Sequence, residues 1–187
     1  MEPIRSFIAF DIEEETVARN LAKAQSMLAE TDADLKLVKP ENVHITLRFL
    51  GDISPELVGK IHAEMEKTTF APFDVEVKGV GAFPNLRHIS VLWAGIRKGA
   101  EELRAVFSQL EPRLYELGFG PDAKGFSPHL TIARVRTSRN KPELIECVKG
   151  LENYEFGVVR AECLRLKKSV LTPQGPIYSV LKETCRR

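Results

Sequence analysis

Two short segments of this 187-residue sequence carry histidine and threonine two positions apart. One is HITLRF, which begins at His44, and the other is HLTIAR, which begins at His129. Successive side chains of a strand point to opposite faces, so Thr46 shares a face with His44, and Thr131 with His129. The residues between them are aliphatic and predict a buried opposite face. The repeat predicts two similar halves that each supply one histidine and one threonine to a shared groove.

These residue types suit acid–base chemistry. Imidazole has an unperturbed pKa of about 6.5, so it can take or give a proton near neutral pH. A hydroxyl beside it can donate to an oxygen that gains negative charge in the transition state. Two histidines from separate halves could act as a base on one side of a bound group and as an acid on the other.

Two histidines could instead bind a metal ion, because imidazole is a common metal ligand. Neither segment, however, repeats a carboxylate or a third histidine at a fixed offset. The other two histidines, His62 in a predicted helix and His88 at a predicted hairpin, lie in no such motif. We expect both to be structural or exposed.

The bulk composition is that of an ordinary soluble globular protein, with 43% hydrophobic and 28% charged residues. A net charge of +1 lacks the basic excess on which non-specific nucleic-acid binding usually depends. Two segments are locally basic, ARVRTSRNK at positions 133–141 and RLKK at positions 165–168. They fit either a basic rim around one site or ordinary solvated patches.

The apolar runs are far shorter than the roughly 20 residues that span a bilayer, and the first residues do not resemble a secretory signal. The cysteines are odd in number and form no CxxC pair; they are Cys147, Cys163 and Cys185. This pattern predicts reduced thiols and supports neither a disulfide nor a zinc site. We therefore expect a cytoplasmic protein that does not contact membranes.

Hydrophobic periodicity predicts strands alternating with helices. The predicted strands are Ile4–Asp11, LKLV, VHITLRFLG ending at Gly51, FDVEVKGVGAFP, HISVLWAGI, HLTIARVR, YEFGVVR, AECLRLKKSVL and IYSVLKE. The predicted helices run from Glu13 to about Glu30, from Pro55 after a Ser54 cap, through GAEELRAVFSQLEPRLYELG, and from Pro142 to Lys149, with PDAKGFSP as a loop. This mixed order with hairpins predicts an α+β fold, and the lack of a Pro- or Ser-rich linker predicts one domain over residues 1–187.

Longer segments around the motifs resemble a known family. RSFIAFDI, HITLRFLGD, FSPHLTIARV and SVLTPQGPIY span essentially the whole chain in order. They resemble the RNA 2′,3′-cyclic phosphodiesterase branch of the two-histidine phosphoesterase superfamily, first named for 2′-5′ RNA ligase activity. The resemblance implies a bilobal, pseudo-twofold α+β fold whose antiparallel-rich sheets line a central cleft with helices outside, and catalysis without a metal or cofactor.

The same resemblance suggests roles for the motif residues. His44 would give a proton to the leaving group and His129 would take one from water, while Thr46 and Thr131 bind phosphate oxygens. Arg134 matches a phosphate-binding position of the family. Its odd offset from His129 places it on the opposite strand face unless a bulge intervenes.

Three further sets of residues are substrate-binding candidates. Arg48 shares the parity of His44 but lies about 13 Å along the strand, at the expected cleft rim. Tyr178, just after a Gly-Pro turn, could stack on a nucleobase. Phe7 and Phe10 could do the same or fill the core.

The expected function is metal-independent hydrolysis of a 2′,3′-cyclic phosphate to a 2′-phosphomonoester, with reversible 2′-5′ ligation as a further activity. The expected partners are RNA ends or nucleoside 2′,3′-cyclic phosphates, and the expected state is a monomer without metal. Two alternatives stay open: an esterase of the superfamily acting on another cyclic phosphate, such as an ADP-ribose cyclic phosphate, and a non-catalytic module that binds nucleotides or RNA ends.

Overall fold

A computed structural model describes residues 2–123 and 125–187. The described residues form nine strands and four helices. The strands are β1 (Ile4–Asp11), β2 (Leu35–Leu37), β3 (His44–Ile53), β4 (Phe73–Asn85), β5 (His88–Ile96), β6 (His129–Val135), β7 (Glu155–Ala161), β8 (Cys163–Val170) and β9 (Ile177–Cys185). The helices are α1 (Glu15–Ala29), α2 (Pro55–Glu66), α3 (Ala100–Glu116) and α4 (Lys141–Gly150). None of these helices is long and apolar enough to cross a lipid bilayer.

The strands form two antiparallel sheets with matching layouts. The first has the order β3-β1-β8-β9, and the second has the order β2-β6-β5-β4-β7. Without the short edge strand β2, the second order repeats the first, with β6 in the place of β3 and β5 in the place of β1. The strands that begin with His44 and His129 thus hold equivalent places and lie next to each other between the sheets. The predicted α+β class is confirmed, and the repeat of strand order is pseudo-twofold.

The helices exchange between the two halves. Helix α1 follows β1 of the first sheet but packs on β7 of the second sheet, and α4 packs against α1 and β4 there. Helix α3 lies between β5 and β6 of the second half but packs against β3 and α2 of the first. Their apolar faces, including the fully buried Leu21 and Leu110, belong to a single hydrophobic cluster. This exchange holds the two histidine strands in a fixed mutual position.

Most element boundaries agree with the periodicity, and one differs for a local reason. Gly51 was expected to end β3, yet the strand continues to Ile53. The cross-strand pairing steps from Ser6–Gly51 to Phe7–Phe49, so Leu50 is an extra residue. Gly51 has φ of 72°, a conformation that glycine adopts without steric cost, and the strand therefore continues through a bulge. Of the predicted loop 121–128, Lys124 lies outside the described residues.

The prediction of three reduced thiols is wrong. Cys163 and Cys185 form a disulfide, and Cys147 is free. The two bonded cysteines begin β8 and end β9 and are directly paired across the antiparallel ladder, with 4.0 Å between Cα atoms. Their separation of 22 residues has no CxxC signature, so only the strand pairing reveals the bond. The cysteines therefore give no support for a cytoplasmic location.

Candidate active site

The two motif histidines are held in the same way. Nδ1 of His44 lies 2.6 Å from the carbonyl oxygen of Asn42, and Nδ1 of His129 lies 2.6 Å from that of Ser127. A carbonyl oxygen only accepts, so Nδ1–H donates in both cases and the neutral ring carries its lone pair on Nε2. In each half, the residue two positions before the histidine therefore selects Nε2 as the atom that exchanges protons.

The two motif histidines lie near each other. They begin neighbouring strands, and His129 is the smallest of the influences that lower the pKa of His44. Nε2 of His44 lies 2.7 Å from the hydroxyl of Thr46. Thr131 is half-buried on β6 and alternates with the fully buried Leu130 and Ile132, so it shares the face of His129.

The two rings have different aromatic neighbours. His44 is stacked on Phe7, with 4.8 Å between ring centroids, and meets the edge of Tyr178 at 5.4 Å. His129 is packed edge-on against Phe83 at 5.0 Å. Burial lowers the pKa of His44 to about 4, because it outweighs the opposing effect of the hydrogen bond to Asn42. His44 is therefore neutral at pH 7 in the unliganded protein.

A buried ion pair lies beside His44, and the sequence analysis missed it. Nζ of Lys167 is 2.6 Å from one carboxylate oxygen of Asp11, and Arg165 is 3.1 Å from the other. The side chain of Lys167 is 8% exposed and that of Asp11 is 20% exposed. Lys167 lowers the pKa of His44, and Asp11 raises it. The alternation of leucine with arginine or lysine in β8 was a usable signal for this charged face.

RLKK adjoins the motif histidines, whereas Arg136 and Arg139 of the other basic segment form ion pairs at a separate surface. RLKK supplies Arg165 and Lys167, as the basic-rim interpretation predicted. In ARVRTSRNK, Arg136 pairs with Asp34 at 2.9 Å and Arg139 with Asp32 at 3.4 Å. These arginines line a separate pocket of about 370 Å³ at the end of β6 remote from His129.

A bulge decides the direction of Arg134. The pairing of β6 with β5 steps from Thr131–Trp93 to Ala133–Leu92, so Ile132 is an extra residue. Ile132 and Ala133 are consecutive and both fully buried, and Arg134 returns to the face of Thr131. Burial raises the pKa of Tyr178, and the positive charge of Arg134 acts in the opposite direction and lowers it. The guanidinium of Arg134 therefore lies near the Tyr178 ring. The parity objection to Arg134 is removed.

The equivalent bulge in β3 sends Arg48 the other way. Thr46 pairs with Ala9 and Arg48 with the fully buried Ile8, so Leu47 is the extra residue and Arg48 lies on the helix-covered face. Its Nε is 2.7 Å from Glu111 of α3, and its guanidinium donates to the carbonyl of Gly120. The rim position predicted for Arg48 is thereby corrected: this side chain joins β3 to α3 and the loop after it.

The aromatic candidates separate by exposure. Phe10 packs edge-on against Phe70 at 5.7 Å and Phe73 at 5.9 Å and belongs to the core. Phe7 is 3% exposed beneath His44, so its ring supports the imidazole and offers no surface to a base. Tyr178 is half-buried and borders the cleft.

The turn before Tyr178 is tied to the start of β3. Asn42, which also accepts the hydrogen bond of His44, donates its side-chain amide to the carbonyl of Pro176 at 2.9 Å. One residue therefore positions both the imidazole and the turn that carries the aromatic border of the cleft.

Comparison with known proteins identifies the family. The family described as LigT like Phosphoesterase matches residues 12–93 and again residues 95–178. Each matched span contains one of the two histidine motifs. The chain belongs to the LigT-like phosphoesterase family. This confirms the resemblance read from the motifs.

Curated relatives of this LigT-like phosphoesterase carry a common name. The RNA 2′,3′-cyclic phosphodiesterase of Aeropyrum pernix is 39% identical over 163 residues, which are 87% of this chain and 93% of that protein. The protein of the same name from Methanothermobacter thermautotrophicus is 36% identical over 178 residues, 94% of this chain and 95% of the relative.

Solved structures share the fold. The crystal structure of TT0787 of Thermus thermophilus has a TM-score of 0.80 and 28% identity, and the alignment covers 97% of both chains. The Escherichia coli LigT structure complexed with 3′-AMP has a TM-score of 0.77 and covers 99% of both chains, at 21% identity. The bilobal arrangement inferred from the repeated strand order is thus that of LigT-like phosphoesterases.

One cluster of potential metal ligands is found in the part of this LigT-like phosphoesterase that the structure describes. Among the described residues, three such groups come within 4.8 Å of one another at Cys163, Glu183 and Cys185. The two cysteines of this set are already joined to each other.

Arg134 is expected to bind an anion at this site. We predict that Arg134→Met weakens the binding of inorganic phosphate by about ten-fold or more, because a hydrogen bond to a charged group is worth about 1.5–3 kcal/mol. Isothermal titration calorimetry at pH 7 measures the change. Arg136→Met is the matched control, since Arg136 follows the same strand but pairs with Asp34. Equal affinities for wild type and Arg134→Met would contradict the direction that the bulge assigns to Arg134.

Proposed function

We propose that this LigT-like phosphoesterase hydrolyses the 2′,3′-cyclic phosphate at RNA ends to a 2′-phosphomonoester, by paired-histidine acid–base catalysis that needs no metal ion. The observation behind this proposal is the repeated histidine geometry. Two strands in equivalent places of the two sheets each present an imidazole whose Nδ1–H is bound to a carbonyl, which leaves Nε2 as the atom that can accept or give a proton. The names of the curated relatives support RNA ends as the substrate class.

The proposed reaction is an in-line displacement. Nε2 of His129 takes a proton from water as the water oxygen bonds to phosphorus. The bond from phosphorus to O3′ breaks on the opposite side, and Nε2 of His44 gives its proton to O3′. The product has a 2′-phosphate and a 3′-hydroxyl, and one proton has passed from His44 to substrate while His129 has gained one. Each positioned acid or base of this kind contributes about a hundred- to ten-thousand-fold in rate.

The neighbouring polar groups bind the phosphate in this proposal. The hydroxyls of Thr46 and Thr131 donate to non-bridging oxygens, where charge increases in the transition state. Arg134 supplies a compensating positive charge from β6. Tyr178, which borders His44, contacts the terminal nucleoside. If a 5′-hydroxyl of a second RNA replaces water, the same groups catalyse 2′-5′ ligation.

The acid role of His44 requires a change of pKa on binding. Its pKa of about 4 leaves it unprotonated at pH 7, whereas a general acid must carry a proton. A phosphate anion about 4 Å away attracts the imidazolium by about 4 kcal/mol at an effective dielectric constant of 20, which corresponds to about three pKa units. The bound anion would therefore raise the pKa of His44 to near neutrality. Substrate binding itself would thus lead to protonation of His44, as its role as general acid requires.

This account predicts proton uptake. Binding of sulfate, which does not titrate near neutrality, is expected to take up close to one proton per site at pH 6, because the anion stabilises the protonated ring of His44. Calorimetry in two buffers of different ionisation enthalpy measures the number. His44→Gln should abolish most of the uptake. Full uptake in that variant would show that the proton goes to another group and would remove the basis for the acid role.

The function is tested by product analysis. A short RNA ending in a 2′,3′-cyclic phosphate is incubated with the protein, with and without a chelator, and the products are separated by chromatography against 2′- and 3′-phosphate standards. We expect the 2′-phosphate in both conditions. A 3′-phosphate would reverse the assigned leaving group, and loss of turnover after chelation would contradict metal independence.

Two additions to this assay address the finer claims. An added RNA with a 5′-hydroxyl reports ligation as a 2′-5′ linked product. An ADP-ribose cyclic phosphate, assayed as a second substrate, tests whether the enzyme acts on a cyclic phosphate other than that of an RNA end. A higher kcat/KM for that compound than for the RNA end would assign the active site to a different substrate.

A further inference from the structure

The two halves of the cleft differ at one equivalent position. Phe49 follows His44 by five residues, as Arg134 follows His129, and each comes after a bulge. Phe49 pairs directly with Phe7, which stacks on His44, so Phe49 lies on the cleft face of β3. Where the second half carries a guanidinium, the first half carries an aromatic ring that is 45% exposed.

Arg5 lies over this exposed ring. The carbon of its guanidinium is 4.5 Å from the ring centroid of Phe49, a cation–π geometry. Within residues 2–123 and 125–187, no acidic side chain forms an ion pair with Arg5. The positive charge of Arg5, like that of Arg134, lowers the pKa of Tyr178. Because Tyr178 borders the cleft, the charge of Arg5 lies near the cleft as well. An aromatic face with an uncompensated cation is a surface suited to single-stranded nucleic acid.

The distance from the histidines indicates which nucleotide would reach this surface. Five residues of strand, about 16 Å before the bulge shortens it, separate the Cα atoms of His44 and Phe49. Arg134, at the same offset from His129, can bridge this distance to the phosphate because its side chain is long and flexible. The ring of Phe49 is shorter, so it lies beyond a phosphate held at the histidines and faces the RNA chain that leads away from it. Under the proposed function, His44 protonates O3′, so the terminal ribose and the RNA chain before it lie on the side of the first sheet, which carries Phe49 and Arg5.

We propose that Phe49 and Arg5 bind the nucleotide that precedes the cyclic-phosphate end of an RNA, the ring stacking on its base and the guanidinium contacting its phosphodiester. This inference rests on the proposed function, because that function sets the direction of the RNA chain. The site would make the enzyme prefer RNA ends over free nucleoside cyclic phosphates.

The test compares two substrates that share a terminal nucleotide, adenosine 2′,3′-cyclic phosphate and a trinucleotide ending in it. We expect Phe49→Ala and Arg5→Gln to lower kcat/KM for the trinucleotide by about 5- to 50-fold, the range of a lost base stack. The mononucleotide should be hydrolysed at the wild-type rate by both variants. Tyr115→Ala and Arg104→Gln, two exposed side chains of α3, are matched controls that should change neither substrate.

A binding measurement separates this proposal from the proposed function. Affinities for a trinucleotide ending in a 2′-phosphate and for adenosine 2′-phosphate need no turnover. Phe49→Ala should weaken only the trinucleotide, and Arg5→Gln should also lower the salt dependence of its binding by about 0.7 in the log–log slope. Equal losses for both ligands, or no loss for either, would overturn the site. Wild-type protein that hydrolyses neither substrate would overturn the proposed function, while these affinities would still decide the site.

Discussion

Replacing His44 or His129 with glutamine is expected to lower kcat on a cyclic-phosphate-ended RNA by about a hundred- to ten-thousand-fold, the usual contribution of one positioned acid or base. Glutamine keeps a polar side chain of similar reach but exchanges no proton near neutral pH. The double variant should lose little more activity than the less active single variant, because an acid without its base supports no concerted displacement. Single-turnover assays with a labelled RNA measure these rates, and circular dichroism verifies the fold.

The remaining histidines provide the control. His62 lies on α2 and contacts the carbonyl of Glu183 at 3.0 Å, and His88 is exposed at the start of β5. His62→Gln and His88→Gln should retain wild-type kcat. If His44→Gln or His129→Gln also retains it, that residue has no catalytic role. A loss in either control would show that the assay responds to histidine replacement in general.

Asp11→Asn is expected to destabilise the protein by about 2–4 kcal/mol. The change leaves the ammonium of Lys167, whose side chain is 8% exposed, without its carboxylate partner at 2.6 Å. Breaking a fully buried pair costs about 3–5 kcal/mol, and the partial exposure of Asp11 reduces that value. For a chain of this size the loss corresponds to a Tm lower by roughly 5–12 °C. Differential scanning calorimetry measures the shift.

The same variant should change the pH dependence of turnover. Asp11 raises the pKa of His44 and Lys167 lowers it, so loss of the carboxylate charge lowers that pKa further. Activity that needs protonated His44 is lost as pH rises through this pKa, and the alkaline limb of kcat should therefore move to lower pH in Asp11→Asn.

The double variant Asp11→Asn/Lys167→Met is the compensating control. Because it removes both charges, it should recover most of the Tm and move the alkaline limb back. If the double variant is no more stable than Asp11→Asn, the loss does not come from the unpaired Lys167. If the alkaline limb of kcat lies at the wild-type pH in both variants, the ion pair of Asp11 and Lys167 has no effect on the pKa of His44.

The local sequence was sufficient to predict the strands and helices and to find the two histidine–threonine motifs. Strand β1 begins and ends at the predicted residues, and α2 begins at Pro55, because alternation, helical spacing and capping are properties of neighbouring residues. His44 and His129 were found for the same reason, since each motif lies within three residues of one strand. The α+β class and the family followed from the order of such segments.

The bulges were beyond the reach of that reasoning. A single extra residue at Leu47 or Ile132 reverses the parity of everything after it, which sends Arg48 to α3 and Arg134 to the cleft. The pairing partner decides whether a residue is extra, and that partner is a different strand. Arg48 was therefore assigned to the wrong face, and Phe49 was overlooked at the equivalent position.

By itself the sequence determined which residues form strands and helices, and which two histidines are related by repetition. Only the tertiary structure decided that Lys167 meets Asp11 beside His44, that Cys163 bonds to Cys185, and that burial keeps His44 unprotonated. The physical reason is the range of the interactions. Periodicity acts within a segment, whereas desolvation and ion or sulfur pairing depend on distant segments that folding brings into contact.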